Sequence, residues 1–168
     1  LKPITFENVT LQDEFWLPRL ELQKETLIPF SFEKMEPAVE NIRRIGEYLK
    51  TGKEQPMLQL ARFVGSDLFK VMEGAAYLLS LERDPELEKK MDEIIDLIIE
   101  AQCEDGYYYE PLTVPDSMYP REWDSLIGTE KYSFVVHSHE LYDMGHMYEA
   151  AVAYYKATGK RKWLDMAE

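Results

Sequence analysis

Cysteine is nearly absent from this sequence, because Cys103 stands alone among 168 residues. A single cysteine excludes a disulfide within the chain, and it excludes a metal site built from several cysteines of this chain. Long apolar runs are missing too, since the most apolar stretch, residues 94–99, is interrupted by charge and is too short to cross a bilayer. The first thirty residues lack a basic start followed by an apolar block, so no signal peptide is predicted.

Positive charge is also scarce. The chain carries 19 Lys and Arg against 32 Asp and Glu, a formal net charge of −13 and an isoelectric point of about 4.7. Such a chain repels polyanions, so neither nucleic acid nor an anionic membrane is an expected partner. Apolar residues make up 45%, which is ordinary for one folded domain with a core. We favour a cytoplasmic location, although the chain opens on Leu1 and an upstream signal could have been removed.

The most strongly patterned stretch, residues 137–159, predicts a long helix. Ser138 has the side chain of an N-cap, Glu140 places negative charge at the positive end of the helix dipole, and Gly159 is the left-handed residue expected just past the end. One apolar stripe comprises Leu141, Met144, Tyr148, Val152 and Tyr155, and alanines form a second, small-residue face, so this helix is predicted to lie between neighbouring helices. A polar edge recurs at spacings of three and four: His139, Tyr142, His146 and Glu149. This polar edge is the first candidate for a functional site.

A similar pattern occurs 76 residues earlier. The seven residues from Glu73 align with the seven from Glu149, so each unit is predicted to be an inner helix, a tight turn and a more charged outer helix. Two helices are predicted before this repeat, one ending near Pro29 and one ending at Gly52. Residues 4–11 alternate loosely and predict a short N-terminal strand, which needs a partner strand elsewhere.

Four short motifs follow one another along the chain. Residues 15–20 read FWLPRL, residues 66–70 read SDLFK, residues 102–107 read QCEDGY, and residues 139–160 read HELYDMGHMYEAAVAYYKATGK. Together they resemble, in the same order, the FWxPRL, SDVYK, QxxDGY and HELY…GH…EAAVAYYxATGK motifs of the bacterial β-L-arabinofuranosidases of glycoside hydrolase family 127. The motifs span nearly the whole chain, so the resemblance is fairly specific.

This resemblance implies an all-α fold of helical hairpins, part of an (α/α)6 barrel to which β domains are appended in the family. It also implies a retaining glycosidase with a cysteine nucleophile beside a zinc ion held by cysteines and a glutamate, in motifs well beyond residue 168. About two and a half hairpins are too few to close a six-hairpin barrel. We therefore expect residues 1–168 to be an N-terminal portion of the catalytic domain, a fragment inactive by itself, whose partner is the remainder of that domain. Zinc is expected in the full-length enzyme only, and a homodimer of that enzyme stays an open possibility.

The resemblance also implies candidate substrate-binding residues. The family's HELY histidine reaches a sugar hydroxyl in the active-site pocket, which gives that role to His139, with Asp67 of the SDLFK motif, His146 and Tyr142 as further candidates. Each has a structural alternative: a satisfied core histidine, a core tyrosine, or an acid at a helix N-terminus. Position 143 departs from the pattern, since the family often has a small residue or cysteine where this chain has Asp143.

Metal binding by the three clustered histidines is not expected. His139 and His146 are two helical turns, or about 10 Å, apart, whereas joint ligation needs His-x3-His spacing. His137 and His139 would chelate an ion only if the backbone is extended there. No metal ligand is therefore assigned to these histidines. The resemblance implies that the catalytic residues and the zinc lie beyond residue 168, so no catalytic residue or cofactor is assigned to this chain, and Cys103 is interpreted as structural.

The loop from Gly106 to Val136 is long and rich in aromatic residues. Loops of this length in compact domains are usually functional or disordered, and the aromatic composition argues against disorder. Two interpretations stay open: aromatic faces that stack on sugar rings, or a lid packed by its own side chains.

The leading hypothesis is the N-terminal portion of a β-L-arabinofuranosidase-like enzyme that acts on plant-derived or glycoprotein-linked arabinofuranosides. The second is another (α/α)-barrel carbohydrate enzyme, an epimerase or a lyase, because fold does not fix function. The third is a non-enzymatic helical-repeat scaffold that binds protein through its concave face.

Overall fold

A computed structural model describes residues 2, 4 and 8–168 of the protein. The elements in chain order are α1 (Leu17–Leu22), a π-helical turn (Gln23–Leu27), α2 (Ile28–Thr51), α3 (Val64–Leu81), α4 (Pro85–Glu100), α5 (Glu110–Thr113), a 3-10 turn (Arg121–Trp123), α6 (Glu140–Thr158) and α7 (Lys162–Ala167). The regular secondary structure of these described residues is all helical, which confirms the predicted helical class but not the predicted N-terminal strand. None of the described helices is both long and apolar enough to cross a membrane.

Two helical hairpins repeat along the chain. α3 leads into α4 and α6 leads into α7, and α3 and α6 begin at Val64 and Glu140, which are 76 residues apart as the sequence pattern predicts. Asp84 caps α4, because its carboxylate accepts two backbone N–H hydrogen bonds of 3.1 Å. α6 ends at Gly159, whose backbone is left-handed (φ 74°) and whose N–H donates to the carbonyl of Tyr155 at 2.8 Å. Local capping interactions thus determine where α4 begins in the first hairpin and where α6 ends in the second.

Small side chains bring α3 and α6 together as the two inner helices. The alanines at their contact are buried: Ala75, Ala76, Ala150, Ala151 and Ala153. Trp163 of α7 is fully buried behind them, with its ring 6.3 Å from that of Phe69 and 6.4 Å from that of Tyr154. α2 packs against both α3 and α4 on the other flank. The core therefore lies between inner and outer helices, and it fixes the α3–α6 pair as one rigid face.

The two helices predicted before the repeat form one nearly continuous helical segment. Residues 17–51 run through α1, the π turn and α2, with Pro29 in the first turn of α2 and Pro37 inside it. The predicted end near Pro29 is wrong. The wider π turn before it leaves room for the proline ring, and the helix continues although Pro29 has no N–H to donate. The predicted end at Gly52 is confirmed by its left-handed backbone (φ 73°), with its N–H 2.7 Å from the carbonyl of Tyr48.

The predicted strand at residues 4–11 is not observed. Residues 5–7 lie outside the described residues, while residues 4 and 8–11 contain no strand. The other described residues, which extend to 168, contain no strand that could pair with this segment. Loose alternation in the sequence does not suffice here, because a strand needs a hydrogen-bonded partner.

The apolar stripe predicted along α6 does not face the core. Met144 is buried at 8% exposure, but the other four members are exposed, between 37% for Tyr155 and 55% for Leu141. The buried side of α6 is the alanine face together with Met147 and Tyr154. α6 uses its small residues to approach α3 closely, so the neighbour predicted on the alanine side is α3. Among the described residues no helix covers the larger apolar side chains of the stripe.

Candidate functional site

His139 precedes α6 in a backbone conformation that residues other than glycine rarely adopt. It is the N-cap of α6, one residue after the predicted cap Ser138, and its φ is 66°. Ring Nδ1 lies 3.0 Å from the carbonyl oxygen of His137. Because a carbonyl oxygen only accepts, Nδ1 carries a proton and Nε2 is the acceptor of the neutral ring. The ring centroid lies 5.6 Å from that of Phe63 and 5.5 Å from that of Tyr142. Strained residues of this kind concentrate at functional sites.

Polar contacts join α3 to α6 beside His139. Lys70 Nζ donates a hydrogen bond to Tyr142 Oη at 2.8 Å and lies 3.5 Å from Asp67 Oδ1. Burial lowers the pKa of Lys70, but the Tyr142 hydroxyl and the Asp67 carboxylate outweigh it and raise that pKa, so Lys70 is charged. Because the ammonium only donates, the hydroxyl proton of Tyr142 is available to a ligand. The side chains of Lys70 and Asp67 are 38% and 47% exposed, so a ligand can reach them.

His146 continues the same polar line along α6. Its ring meets that of Tyr142 edge-on with the centroids 4.7 Å apart, and its Nδ1 lies 3.5 Å from Glu149 Oε2. Glu73 reaches this point from α3, and ligand-type atoms of Glu73, His146 and Glu149 all lie within 4.8 Å of one another. A groove of about 410 Å³ adjoins the two glutamates, and two tyrosines, Tyr77 and Tyr148, line it.

All four predicted substrate-binding residues therefore lie on one face of the α3–α6 pair, which we call the polar face. His139, Tyr142 and His146 follow α6, and Asp67 is joined to them through Lys70. The alternative of a core tyrosine does not apply to Tyr142, which is 46% exposed. The binding roles of these residues stay predictions.

Lys70 and Glu73 are members of the polar face that the sequence reasoning missed. Asp67, Lys70 and Glu73 are spaced three residues apart on α3, which is the spacing of neighbours on a helix surface. This spacing could have identified Lys70 and Glu73, but the resemblance of residues 66–70 to the family motif indicated only Asp67.

Two buried carboxyl groups, from Glu110 and Asp143, lie beside the polar face. Each residue is 4% exposed. Glu110 Oε1 and Asp143 Oδ2 stand 3.4 and 3.5 Å from the place where a Cβ on Gly65 would lie, so the absent side chain of that glycine leaves room for both. Burial raises the pKa of Asp143 to about 8, with the charge of Glu110 as the second cause. Burial likewise raises the pKa of Glu110 to about 7, although a hydrogen bond from Asn41 opposes the rise.

The same two groups are incompletely hydrogen-bonded. Glu110 Oε1 and Asp143 Oδ1 are buried without a hydrogen-bond partner. Two negative charges this close together are unfavourable when both are shielded from water, so the pair of carboxyl groups retains a proton near neutral pH. The sequence pointed to Asp143 only as a departure from the family motif, and no local pattern indicates that the loop carries Glu110 to it.

Glu140 ties the aromatic loop to the start of α6. Its carboxylate is fully buried and accepts hydrogen bonds from Tyr107 Oη at 2.6 Å, Ser138 Oγ at 2.7 Å and the backbone N–H of Tyr132 at 2.9 Å. Four aromatic side chains of the loop are no more than 3% exposed: Tyr107, Tyr108, Tyr109 and Tyr119. These four tyrosines pack into the protein body, so for them the interpretation of a loop packed by its own side chains holds.

Cys103 is a free, half-buried cysteine at the end of the first hairpin. Across residues 2, 4 and 8–168, it belongs to no group of three clustered metal-type ligands. A zinc site that needs several cysteines, such as the one implied by the family resemblance, does not fit the donor atoms of this chain. A separate groove of about 590 Å³ between α2 and α4 contains none of the predicted site residues.

Stacked hairpins with a polar inner face are typical of the helical-hairpin barrels. Residues 8–168 match the family described as "Beta-L-arabinofuranosidase, GH127 catalytic domain". The chain therefore belongs to the GH127 family, and its helices are consistent with part of the (α/α)6 barrel of that family.

Relatives of known sequence or structure agree with this assignment. The chain is 31% identical to a non-reducing end β-L-arabinofuranosidase of Bifidobacterium longum subsp. longum, over 96% of this chain and 26% of the relative. It is similar to the structure of a GH127 β-arabinofuranosidase, with a TM-score of 0.83, 35% identity and coverage of 98% of this chain and 25% of that one. It is also similar to a GH127 β-L-arabinofuranosidase from Geobacillus stearothermophilus T6, with a TM-score of 0.77, 36% identity and coverage of 95% and 24%. The chain thus spans about a quarter of each relative, as an N-terminal part.

Proposed function

We propose that the polar face is one wall of the sugar pocket of a β-L-arabinofuranoside hydrolase. In this proposal His139, Tyr142, Asp67 and His146 contact the hydroxyl groups of an arabinofuranosyl unit. The observation that carries the proposal is the convergence of these side chains on the α3–α6 pair, accessible to solvent, in a chain whose relatives are named for this activity.

The chemistry of each side chain suits a polyhydroxylated ligand. A sugar hydroxyl both donates and accepts hydrogen bonds, and this face offers an acceptor at His139 Nε2, a donor at Tyr142 Oη, and both charge signs at Lys70 and Asp67. The left-handed backbone at His139 turns its ring toward Phe63 and Tyr142, and this fixes the imidazole before a ligand arrives.

We assign the bond-breaking step to residues outside this chain. The cysteine nucleophile and the zinc ligands that the family resemblance implies have no counterpart here, because Cys103 is half-buried and has no clustered ligand partners among the described residues. The exposed apolar side of α6, with Leu141, Tyr148, Val152 and Tyr155, is then the surface against which the remainder of the catalytic domain packs.

Sugar binding is testable on the 168-residue chain by NMR of the histidine ring signals. Titration with methyl β-L-arabinofuranoside at millimolar concentrations is expected to shift the signals of His139 and His146, while those of His137, which lies off the polar face, stay unchanged. An Asp67→Asn variant should need a higher sugar concentration for the same shift. Equal shifts for all three rings, or none at saturating sugar, would refute the proposal.

A further inference from the structure

Glu73, His146 and Glu149 form a cluster of metal-type ligands. The proposed sugar contacts use His146 of this cluster but give no role to Glu73 or Glu149. His146 and Glu149 lie three residues apart on α6, and Glu73 faces them from α3, so the cluster crosses the contact between the two inner helices. The expectation of no metal in this chain weighed the single cysteine and pairs among the three histidines. It did not consider a carboxylate supplied by the neighbouring helix.

The separations in this cluster suit one metal ion. His146 Nδ1 lies 3.5 Å from Glu149 Oε2, and the three ligand atoms lie within 4.8 Å of one another. Two ligand atoms on one tetrahedral ion, with bonds of about 2.0–2.2 Å, are roughly 3.3–3.6 Å apart. The His146–Glu149 pair already has this spacing, and Glu73 offers a third ligand atom within 4.8 Å of the other two.

An independent observation comes from the imidazole of His146. Its Nδ1 is a buried atom without a hydrogen-bond partner, and the Glu149 oxygen lies 3.5 Å away. A buried ring nitrogen that lacks a partner loses its hydration without compensation, and a bound metal ion would supply the missing interaction. Glu73 Oε1 accepts a hydrogen bond of 2.5 Å from Tyr77 Oη, which orients the carboxylate and leaves its second oxygen for an ion.

The ligand types also restrict which ion would bind. Mg²⁺ and Ca²⁺ are held by oxygen ligands, whereas one imidazole with two carboxylates is typical of first-row transition metals such as Zn²⁺. The two carboxylates balance the charge of a divalent ion, and the net charge of −13 favours cations around the chain. Glu73 and Glu149 also line the groove of about 410 Å³, so open coordination positions would face solvent.

We propose that Glu73, His146 and Glu149 bind one divalent transition-metal ion, represented by Zn²⁺, across the α3–α6 contact. This site contains no cysteine, so it differs in ligand set from the cysteine-rich zinc site that the family resemblance implies. The inference does not depend on the proposed sugar binding, because the ion is held by the protein alone.

Calorimetric titration of the chelator-treated 168-residue chain with Zn²⁺ tests the site. One ion is expected to bind per chain, and Glu73→Gln and Glu149→Gln are each expected to weaken binding at least tenfold. The matched control is His137→Gln, which removes one of the other two histidines and is expected to leave the affinity unchanged. NMR should show the ring of His146 shifting in proportion to bound Zn²⁺, with the ring of His137 unaffected.

Three results would overturn the proposal: no stoichiometric Zn²⁺ binding, full affinity in both glutamine variants, or loss of binding in His137→Gln. Circular dichroism checks that each variant retains its helical signal. If Glu73→Gln fails to fold, the Zn²⁺ affinity of Glu149→Gln decides the outcome, because the Glu149 side chain is 66% exposed and its replacement should not disturb folding.

Discussion

Replacing His139 by alanine is expected to lower kcat/KM for an aryl β-L-arabinofuranoside about 100-fold, in a complete GH127 enzyme that carries this chain as its N-terminal quarter. The loss corresponds to about 2.7 kcal/mol of transition-state stabilisation. The physical reason is that the imidazole is held before binding, by the His137 carbonyl on Nδ1 and by ring contacts with Phe63 and Tyr142. A preoriented contact of this kind contributes to the transition state and little to packing.

The matched control for this experiment is His137→Ala, which removes the neighbouring imidazole but keeps the backbone carbonyl that accepts from His139. The His137 side chain is exposed and contacts the ring of Phe134, so kcat/KM should stay within about twofold of the parent value. Full activity in a folded His139→Ala variant would instead assign His139 a purely structural role at the start of α6.

The Asp143→Asn substitution is expected to reduce the pH dependence of stability between about pH 4 and pH 8, with the part due to the buried Glu110 remaining. The folded protein raises the pKa of Asp143 to about 8 and that of Glu110 to about 7, chiefly through burial. For acids with raised pKa values, stability is fully present below the unfolded-state pKa and is lost as the pH rises through the folded-state pKa. The parent chain should therefore be less stable at pH 9 than at pH 5, by an amount on the order of 2–4 kcal/mol.

Urea unfolding of both proteins at pH 5, 7 and 9 measures this effect. The amide that replaces the Asp143 carboxyl group carries no charge and can donate a hydrogen bond to Glu110, so the variant should be more stable than the parent at pH 9. Glu93→Gln, which neutralises an acid whose side chain is 67% exposed, serves as the control and should keep the parent profile. A parent chain with equal stability at pH 5 and pH 9 would contradict the buried-pair interpretation.

The hairpin architecture was predictable because its signals are local. Asp84 before Pro85 starts an outer helix, Gly52 and Gly159 end helices with a left-handed backbone, and all of these act within a few residues of chain. The 76-residue offset then follows from the same local pattern occurring twice. The helix break predicted at Pro29 is wrong because a π turn accommodates the proline ring. No simple residue pattern predicts a π turn.

Orientation and long-range contacts were not predictable in the same way. Periodicity identifies an apolar stripe on α6, but it cannot say whether the stripe or the alanine face lies against α3. The alanine face packs there because small residues permit close helix approach. Glu110 meets Asp143 only because the loop folds back on the inner helices, and the room for both depends on Gly65 in a third segment.

The candidate site shows the same division between local and long-range information. Motif resemblance indicated His139, Tyr142, His146 and Asp67, and helical spacing explains why the first three share one edge of α6. The cross-helix partners Lys70 and Glu73 emerged only from the packing of α3 on α6, which brings Lys70 Nζ within 2.8 Å of Tyr142 Oη.

The central claim is that this chain provides sugar-binding groups and that the bond-breaking groups lie elsewhere. Its most direct test is to incubate the purified 168-residue chain with 4-nitrophenyl β-L-arabinofuranoside and to follow nitrophenol release. No release above the buffer rate is expected, because the one cysteine has no clustered metal ligands among the residues that the structure describes, and the polar face is open to water instead of enclosed. Turnover that follows the chain through every purification step, and that disappears in the His139→Ala variant, would contradict the claim.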